Sequence, residues 1–128
     1  MIQRIQTLYL LTYILLAGFC FWRFPELDSF QEKPVEMSYG VLILIVFSLV
    51  AIGLFKRRKW QMRIVQLTLF FHLAYLVTYL SLFVVALPNS LEEYIASVFF
   101  GLGALFLFLA LRGIKKDEAL VRSLDRLR

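Results

Sequence analysis

The stretch that decides the fold is residues 64–87, IVQLTLFFHLAYLVTYLSLFVVAL, which contains no Asp, Glu, Lys or Arg. A helix needs about 20 mostly apolar residues to cross a bilayer. Each apolar run in this chain is continuous and lacks the alternation typical of transmembrane β-strands. We therefore predict an all-α protein, an integral membrane four-helix bundle over 1–111 with a charged tail over 112–128. The predicted spans are residues 5–22, 39–55, 64–87 and 94–111.

The composition of the whole chain supports this class. Of the 128 residues, 61% are hydrophobic and only 18% are charged, and the mean hydropathy is +0.78. A soluble domain is about 45–50% apolar and about 25% charged, and so short a chain cannot bury the excess. With 1 Cys, 3 Pro and 6 Gly, the disulfide-stapled and collagen-like classes are excluded as well. The lipid bilayer is therefore the expected surroundings.

Basic residues are distributed unevenly between the predicted loops. If both termini and the loop between the second and third spans are cytoplasmic, all 14 Lys and Arg residues except Arg23 and Lys33 lie inside. By the positive-inside rule, this predicts a multi-pass membrane protein with both termini in the cytoplasm. Residues 56–59, Lys-Arg-Arg-Lys, also resemble basic runs that bind nucleic acid or anionic lipid. Their role in orientation is sufficient, and we predict no nucleic-acid partner.

The third span carries a polar and aromatic stripe. Thr68, His72, Tyr75 and Tyr79 recur at the spacing that places side chains on one face of a helix. Polar groups in hydrocarbon need partners, so the stripe is expected to face other helices. One interpretation is that it supplies hydrogen bonds between helices. The other is a functional site around His72, the only histidine, because ionisable groups within membranes are frequently functional.

The tail after residue 111 is amphipathic. Leu120, Val121, Leu124 and Leu127 form an apolar stripe, and basic residues lie on another side. This pattern predicts a short cytoplasmic C-terminal helix. Energetically a position along the inner leaflet is favoured, and as a function docking on a partner is favoured. Extension of the fourth span is the remaining alternative.

The two ends of the chain carry recognisable motifs. Residues 1–10, MIQRIQTLYL, and 114–128, IKKDEALVRSLDRLR, resemble a family of small four-span membrane proteins of Bacteroidota that is catalogued as a domain of unknown function. The resemblance implies a bacterial inner-membrane protein and carries over no catalytic residue. It directs attention to polar residues at both ends, which the predicted topology places together. The expected cytoplasmic interaction surface comprises Gln3, Arg4, Gln6, Lys115, Lys116, Asp117, Glu118, Arg122, Ser123, Asp125 and Arg126.

These observations predict a non-enzymatic accessory, assembly or scaffolding subunit that binds a membrane-protein or cytoplasmic partner through its termini. The alternative is a small homo-oligomeric channel or transporter in which the Thr68–Tyr79 stripe lines the path. An enzyme acting on lipid or quinone is the third hypothesis. The predicted spans contain no Asp or Glu and one His, so we predict no catalytic residue, no metal site and no cofactor.

Overall fold

A computed structural model describes residues 2–23, 34–85 and 91–125, and this part of the chain is helical apart from one turn. The all-α prediction is therefore confirmed for these residues. The turn over residues 54–56 separates the second helix from the third. The helices are α1 (Ile2–Arg23), α2 (Pro34–Gly53), α3 (Arg58–Val85) and α4 (Leu91–Asp125).

Local sequence explains where these helices begin and end. Proline is tolerated in the first turn of a helix, where its missing N–H has no partner to lose, and α2 begins at Pro34, five residues before the predicted start. It ends at Gly53. Phe55, which the prediction placed in the second helix, therefore lies in the turn. A backbone hydrogen bond of 2.8 Å from Arg57 N–H to the Leu54 carbonyl closes this turn. α3 then begins at Arg58, earlier than predicted.

The four helices form a closed ring. Each packs against the next in the chain, and α4 returns to pack against α1. Gln6, near the start of α1, lies beside Gly113 of α4, whereas Tyr13 lies beside Gly103, so these two helices run antiparallel. The core between the helices includes Leu10, Tyr13, Val41, Val65 and Leu107, all fully buried.

The exterior of the bundle is apolar. Leu15, Trp22, Phe70 and Val77 are each at least two-thirds exposed. Within the described residues, Ile5–Arg23 and Arg58–Ser81 are long and apolar enough to cross a membrane, and only 28% and 22% of their apolar windows are buried in the bundle. The core helix of a soluble protein is mostly buried, whereas fewer than a third of the residues in these two apolar windows are buried.

The mainly apolar core also contains several polar side chains. Gln6, Ser48, Gln61, Thr68 and His72 are at most 4% exposed. Ser48 donates a hydrogen bond to the Leu44 carbonyl of its own helix. The bundle therefore combines an apolar exterior with a core in which polar groups lie among apolar ones, whereas a soluble bundle places polar residues on its outside.

The C-terminal tail continues α4. The prediction of a separate short helix is wrong, because α4 is continuous from Leu91 to Asp125 and the tail extends the fourth helix, which was one of the alternatives. The position of the tail relative to a membrane stays a prediction. Gly113 does not break the helix, since no described glycine has a positive φ, and the Gln6 side chain lies 3.0 Å from where a Cβ would stand. At a rise of about 1.5 Å per residue, α4 continues for about 20 Å beyond residue 111.

Gly40 is where α2 approaches α3 most tightly. A Cβ at Gly40 would overlap the ring of Tyr75, whereas a Cβ at Gly18 of α1 would meet nothing within 4 Å. We expect Gly40→Ala to lower the free energy of unfolding by about 1–3 kcal/mol through overpacking. Gly18→Ala, the matched control, should be neutral or stabilising by up to about 1 kcal/mol. Unfolding titrations of both variants in mixed micelles test this, and equal effects would contradict the close approach of α2 and α3.

Candidate functional site

His72 lies at the centre of the bundle, where it joins three helices. Its Nδ1 lies 3.1 Å from the hydroxyl of Tyr13 on α1, and its Nε2 lies 3.1 Å from the carbonyl oxygen of Phe100 on α4. A carbonyl only accepts, so Nε2–H donates to Phe100, and in the neutral ring Nδ1 accepts from the Tyr13 hydroxyl. We call Tyr13, His72 and Phe100 the core polar network.

Gly103 makes room for this network. A Cβ at this position would lie 3.2 Å from both Cε1 of His72 and Cε2 of Tyr13. The ring centroids of His72 and Phe100 are 4.5 Å apart, and those of Tyr13 and His72 are 5.4 Å apart in an edge-to-face arrangement. The rings therefore pack tightly around one helix position that has no side chain.

The other members of the predicted stripe use their polar groups within the bundle. Thr68 is buried and donates a 2.8 Å hydrogen bond to the carbonyl of Ile64 in its own helix. Tyr79 is buried, and its hydroxyl lies 2.8 Å from Ser97 Oγ on α4. Tyr75 is half-buried, and its ring lies against Gly40. These contacts favour the interpretation that the stripe holds helices together, and a functional role for it stays a prediction.

At the end of the bundle where α1 begins and α2 ends, charged residues tie the extension of α4 in place. We call this the charged end. Arg58 Nη1 lies 3.0 Å from Asp117 Oδ2 and also donates to the Asp117 carbonyl at 3.5 Å. The Asp117 side chain is only 13% exposed. Nearby, Gln6 packs on Gly113, and its Nε2 has no hydrogen-bond partner among the described residues.

The structure separates the predicted cytoplasmic surface into buried and exposed parts. Gln6 and Asp117 are buried between helices and contribute nothing to an exposed surface. Lys115 and Lys116 are exposed. The side chains of Gln3, Arg4 and Asp125, and the whole of Arg126, lie outside the described part of the chain. The remaining members make local contacts: Arg122 pairs with Glu118 at 2.7 Å, and Ser123 donates to the Leu120 carbonyl at 2.7 Å.

One face of α4 continues past the rest of the bundle. Gly113, Asp117, Leu120 and Leu124 follow one another at helical spacing, so they share a face. The first two face Gln6 and Arg58, whereas Leu120 and Leu124 are 44% and 65% exposed. Val121 beside them is 38% exposed. We call Leu120, Val121 and Leu124 the overhang.

A groove of about 630 Å³ lies between the turn after α2 and the extension of α4. We call it the basic groove. Its lining combines five cationic side chains with one carboxylate and two apolar side chains. They are Lys56, Arg57, Arg58, Lys59, Arg122, Glu118, Trp60 and Val121.

Sequence reasoning missed Tyr13, Gly103 and the Arg58–Asp117 pair as structural partners. Tyr13 occurs in an apolar run. Its contact with His72, across the diagonal of the ring of helices, depends on how α1 and α3 are rotated about their axes. Among the described residues, no three His, Cys, Asp or Glu side chains lie close enough together to hold a metal ion.

The fold and these contacts define a class: a helical bundle with an apolar exterior, hydrogen-bonded polar groups inside and charge gathered at one end. The family model described as domain of unknown function DUF4293 matches residues 28–127. The chain belongs to this family, which confirms the resemblance to a family of unknown function. The match includes most of the closing motif and excludes residues 1–10. No curated protein and no solved structure matches the chain.

The hydrogen bond between Tyr13 and His72 can be measured by a double-mutant cycle. We expect Tyr13→Phe and His72→Phe each to lower the free energy of unfolding in micelles. The coupling energy between them should be about 0.6–1.7 kcal/mol, from the mean to the largest value measured for hydrogen bonds between helices of a membrane protein. Tyr9→Phe is the control, because Tyr9 lies on α1 with Tyr13 and its ring packs near Phe106 of α4, with the ring centroids 6.3 Å apart. A coupling energy near zero for the Tyr13 cycle would refute the proposed bond.

The two ion pairs of α4 are expected to differ in strength. Asp117→Ala leaves Arg58 partly buried without its carboxylate, and we expect a loss of about 1.5–3 kcal/mol in the free energy of unfolding. Glu118→Ala removes a pair whose Arg122 side chain is 66% exposed, and about 0.3–0.5 kcal/mol should be lost. Unfolding titrations at low and high salt measure both. A larger loss of unfolding free energy for Glu118→Ala than for Asp117→Ala would contradict this ranking of the two ion pairs.

Proposed function

We propose that the protein is a non-enzymatic accessory, assembly or scaffolding subunit of the bacterial inner membrane that binds an unlike partner protein in the cytoplasm. The overhang is the observation that carries this proposal. It presents Leu120, Val121 and Leu124 on a helix that continues past the bundle, bonded to the rest of the fold through Asp117. Exposed leucines at helical spacing are the type of surface that packs against an amphipathic helix of another protein.

The membrane placement is supported by the apolar exterior. Ile5–Arg23 and Arg58–Ser81 have the length and composition to cross a bilayer, and only 28% and 22% of their apolar windows are buried in the bundle. In water such an exterior would be an aggregation surface. The charged end contains the basic residues 56–59, and the positive-inside rule assigns that end to the cytoplasm.

The charges around the overhang indicate the chemistry of the partner. Lys115, Lys116 and Arg122 are exposed on the same stretch of α4, and Glu118 is engaged by Arg122. A segment with an apolar stripe bordered by carboxylates complements this surface. A second copy of the chain would bring the same cations together, so an unlike partner is favoured over a homo-oligomer through this end.

The channel alternative has less support from the same contacts. Thr68, His72 and Tyr79 are at most 2% exposed, and their polar atoms are engaged in hydrogen bonds within the bundle. Groups that line an aqueous path face water, and these groups face other helices.

Partner binding is tested by placing polar side chains on the overhang. We expect the double variant Leu120→Gln, Leu124→Gln to lose a stoichiometric unlike protein that co-purifies with the wild-type chain from its native membranes in mild detergent. Quantitative mass spectrometry measures the ratio. Ala119→Gln is the matched control, because it puts the same side chain at an exposed position of the same turn of α4, about 100° and 140° around the helix axis from Leu120 and Leu124, and it should retain the partner.

Two results would overturn the proposal. One is equal recovery of the partner by the double variant and the control. The other is a defined homo-oligomer that conducts ions or takes up solute in liposomes, which would support the channel alternative. Equal unfolding midpoints of the two variants ensure that a lost partner reflects a lost surface.

A further inference from the structure

The basic groove contains more positive charge than the fold uses. Arg58 is held by Asp117 at 3.0 Å, and Arg122 is held by Glu118 at 2.7 Å. The other three cations, Lys56, Arg57 and Lys59, make no ion pair with any described residue. The Lys56 ammonium group does lie 5.8 Å from the centroid of the Phe55 ring. Lys56 lies in the turn over 54–56, Arg57 follows it, and Lys59 lies in the first turn of α3. Three cations without an ion-pair partner among the described residues therefore lie within four positions of the chain.

The two paired arginines form two sides of the groove. Arg58 begins α3, and its guanidinium group is held by the mostly buried Asp117 carboxylate, whereas the Arg122 side chain, paired with Glu118, is 66% exposed. A guanidinium group has five N–H donors, and one carboxylate does not use them all. Both arginines can therefore offer additional hydrogen-bond donors to an anion, and those of Arg58 are held in position.

The position of the groove indicates an amphiphilic ligand. Phe55 and Trp60 flank the turn and are 49% and 55% exposed, and the Arg63 guanidinium carbon lies 5.2 Å from the centroid of the Trp60 ring. Exposed aromatic residues beside cations are typical of the level at which lipid headgroups lie. The groove opens at the boundary between the apolar exterior of the bundle and its charged end.

We propose that the basic groove binds the phosphate group of an anionic phospholipid, with Lys56, Arg57 and Lys59 supplying the charge and Trp60 and Val121 contacting the apolar part of the lipid. This proposal rests on the membrane placement given under the proposed function. A phosphate at this position receives charge-assisted hydrogen bonds from the turn and from the free donors of Arg58 and Arg122. The overhang leucines are not required for it.

The test compares lipid binding by two variants of equal charge. The groove variant Lys56→Gln, Arg57→Gln, Lys59→Gln removes three cations from the groove. The control Arg112→Gln, Lys115→Gln, Lys116→Gln removes three exposed cations from α4 outside the groove. Each full-length protein is purified in neutral detergent micelles and titrated with phosphatidylglycerol or with zwitterionic phosphatidylcholine. Native mass spectrometry counts bound lipid, and the unfolding midpoint gives a second measure.

We expect wild type and control to prefer phosphatidylglycerol over phosphatidylcholine, and the groove variant to bind phosphatidylglycerol about tenfold more weakly or worse, since each basic residue near an anionic headgroup contributes substantially. Equal weakening in groove variant and control would reduce the effect to net charge and overturn the proposal. The single variant Arg57→Gln keeps the test decisive if the triple variant does not fold, and it should weaken binding by several-fold.

Two further experiments distinguish a lipid phosphate from a soluble phosphate, and a lipid ligand from a protein ligand. Inorganic phosphate and glycerol phosphate, added at the headgroup concentration, should displace no lipid; equal competition would assign the groove to a soluble phosphate compound and overturn the lipid assignment. Loss of a protein partner by the groove variant, with phosphatidylglycerol binding unchanged, would make the groove a protein site and also overturn it.

Different results would refute the lipid site and the proposed function. Release of the wild-type chain from membranes by alkaline carbonate would refute the membrane placement on which both depend. Membrane-integrated protein that binds the two lipids equally would refute the lipid site alone. The overhang variant Leu120→Gln, Leu124→Gln should bind phosphatidylglycerol as wild type does, whatever happens to its protein partner.

Discussion

The bundle depends on hydrogen bonds to both ring nitrogens of one histidine at its centre. His72 is 1% exposed and surrounded by side chains from other helices, so each ring nitrogen needs a partner that another helix supplies. Tyr13 supplies one across the diagonal of the ring of helices, and the backbone of Phe100 supplies the other. These two contacts fix the rotation of α1 and α4 about their axes relative to α3. Gly103 is then the residue type that leaves room for both rings.

A second constraint operates at the charged end. α4 is 35 residues long and the other helices are 20–28 residues long, so its last turns have fewer neighbours to pack against. Asp117 is the point at which the extension is bonded to the rest of the fold, through Arg58 at the start of α3. This pair determines where Leu120, Val121 and Leu124 stand relative to the turn over 54–56. The overhang and the basic groove both result from that position.

Hydropathy and helical spacing predicted the helices and the stripe, because both depend on the local pattern of side chains. They did not predict Tyr13 beside His72 or Arg58 beside Asp117, which are each separated by 59 positions along the chain. Such pairings depend on the rotation and relative height of helices, and an apolar run contains no information about either. The separate helix predicted for the tail was wrong for a related reason: the amphipathic pattern of the tail does not show that Gln6 packs on Gly113 and that Arg58 pairs with Asp117 along one continuous helix.

The distribution of polar groups argues for a role in binding. Within the described bundle, the polar atoms of Thr68, His72 and Tyr79 are used to join or brace helices. A polar group can act on a ligand only if it has a donor, an acceptor or a charge that no neighbouring side chain uses. Arg57 and Lys59 at the charged end are exposed and make no ion pair with any described residue, so their charge is available to a ligand. Exposed cations of this kind favour recognition of an anion or of an acidic partner.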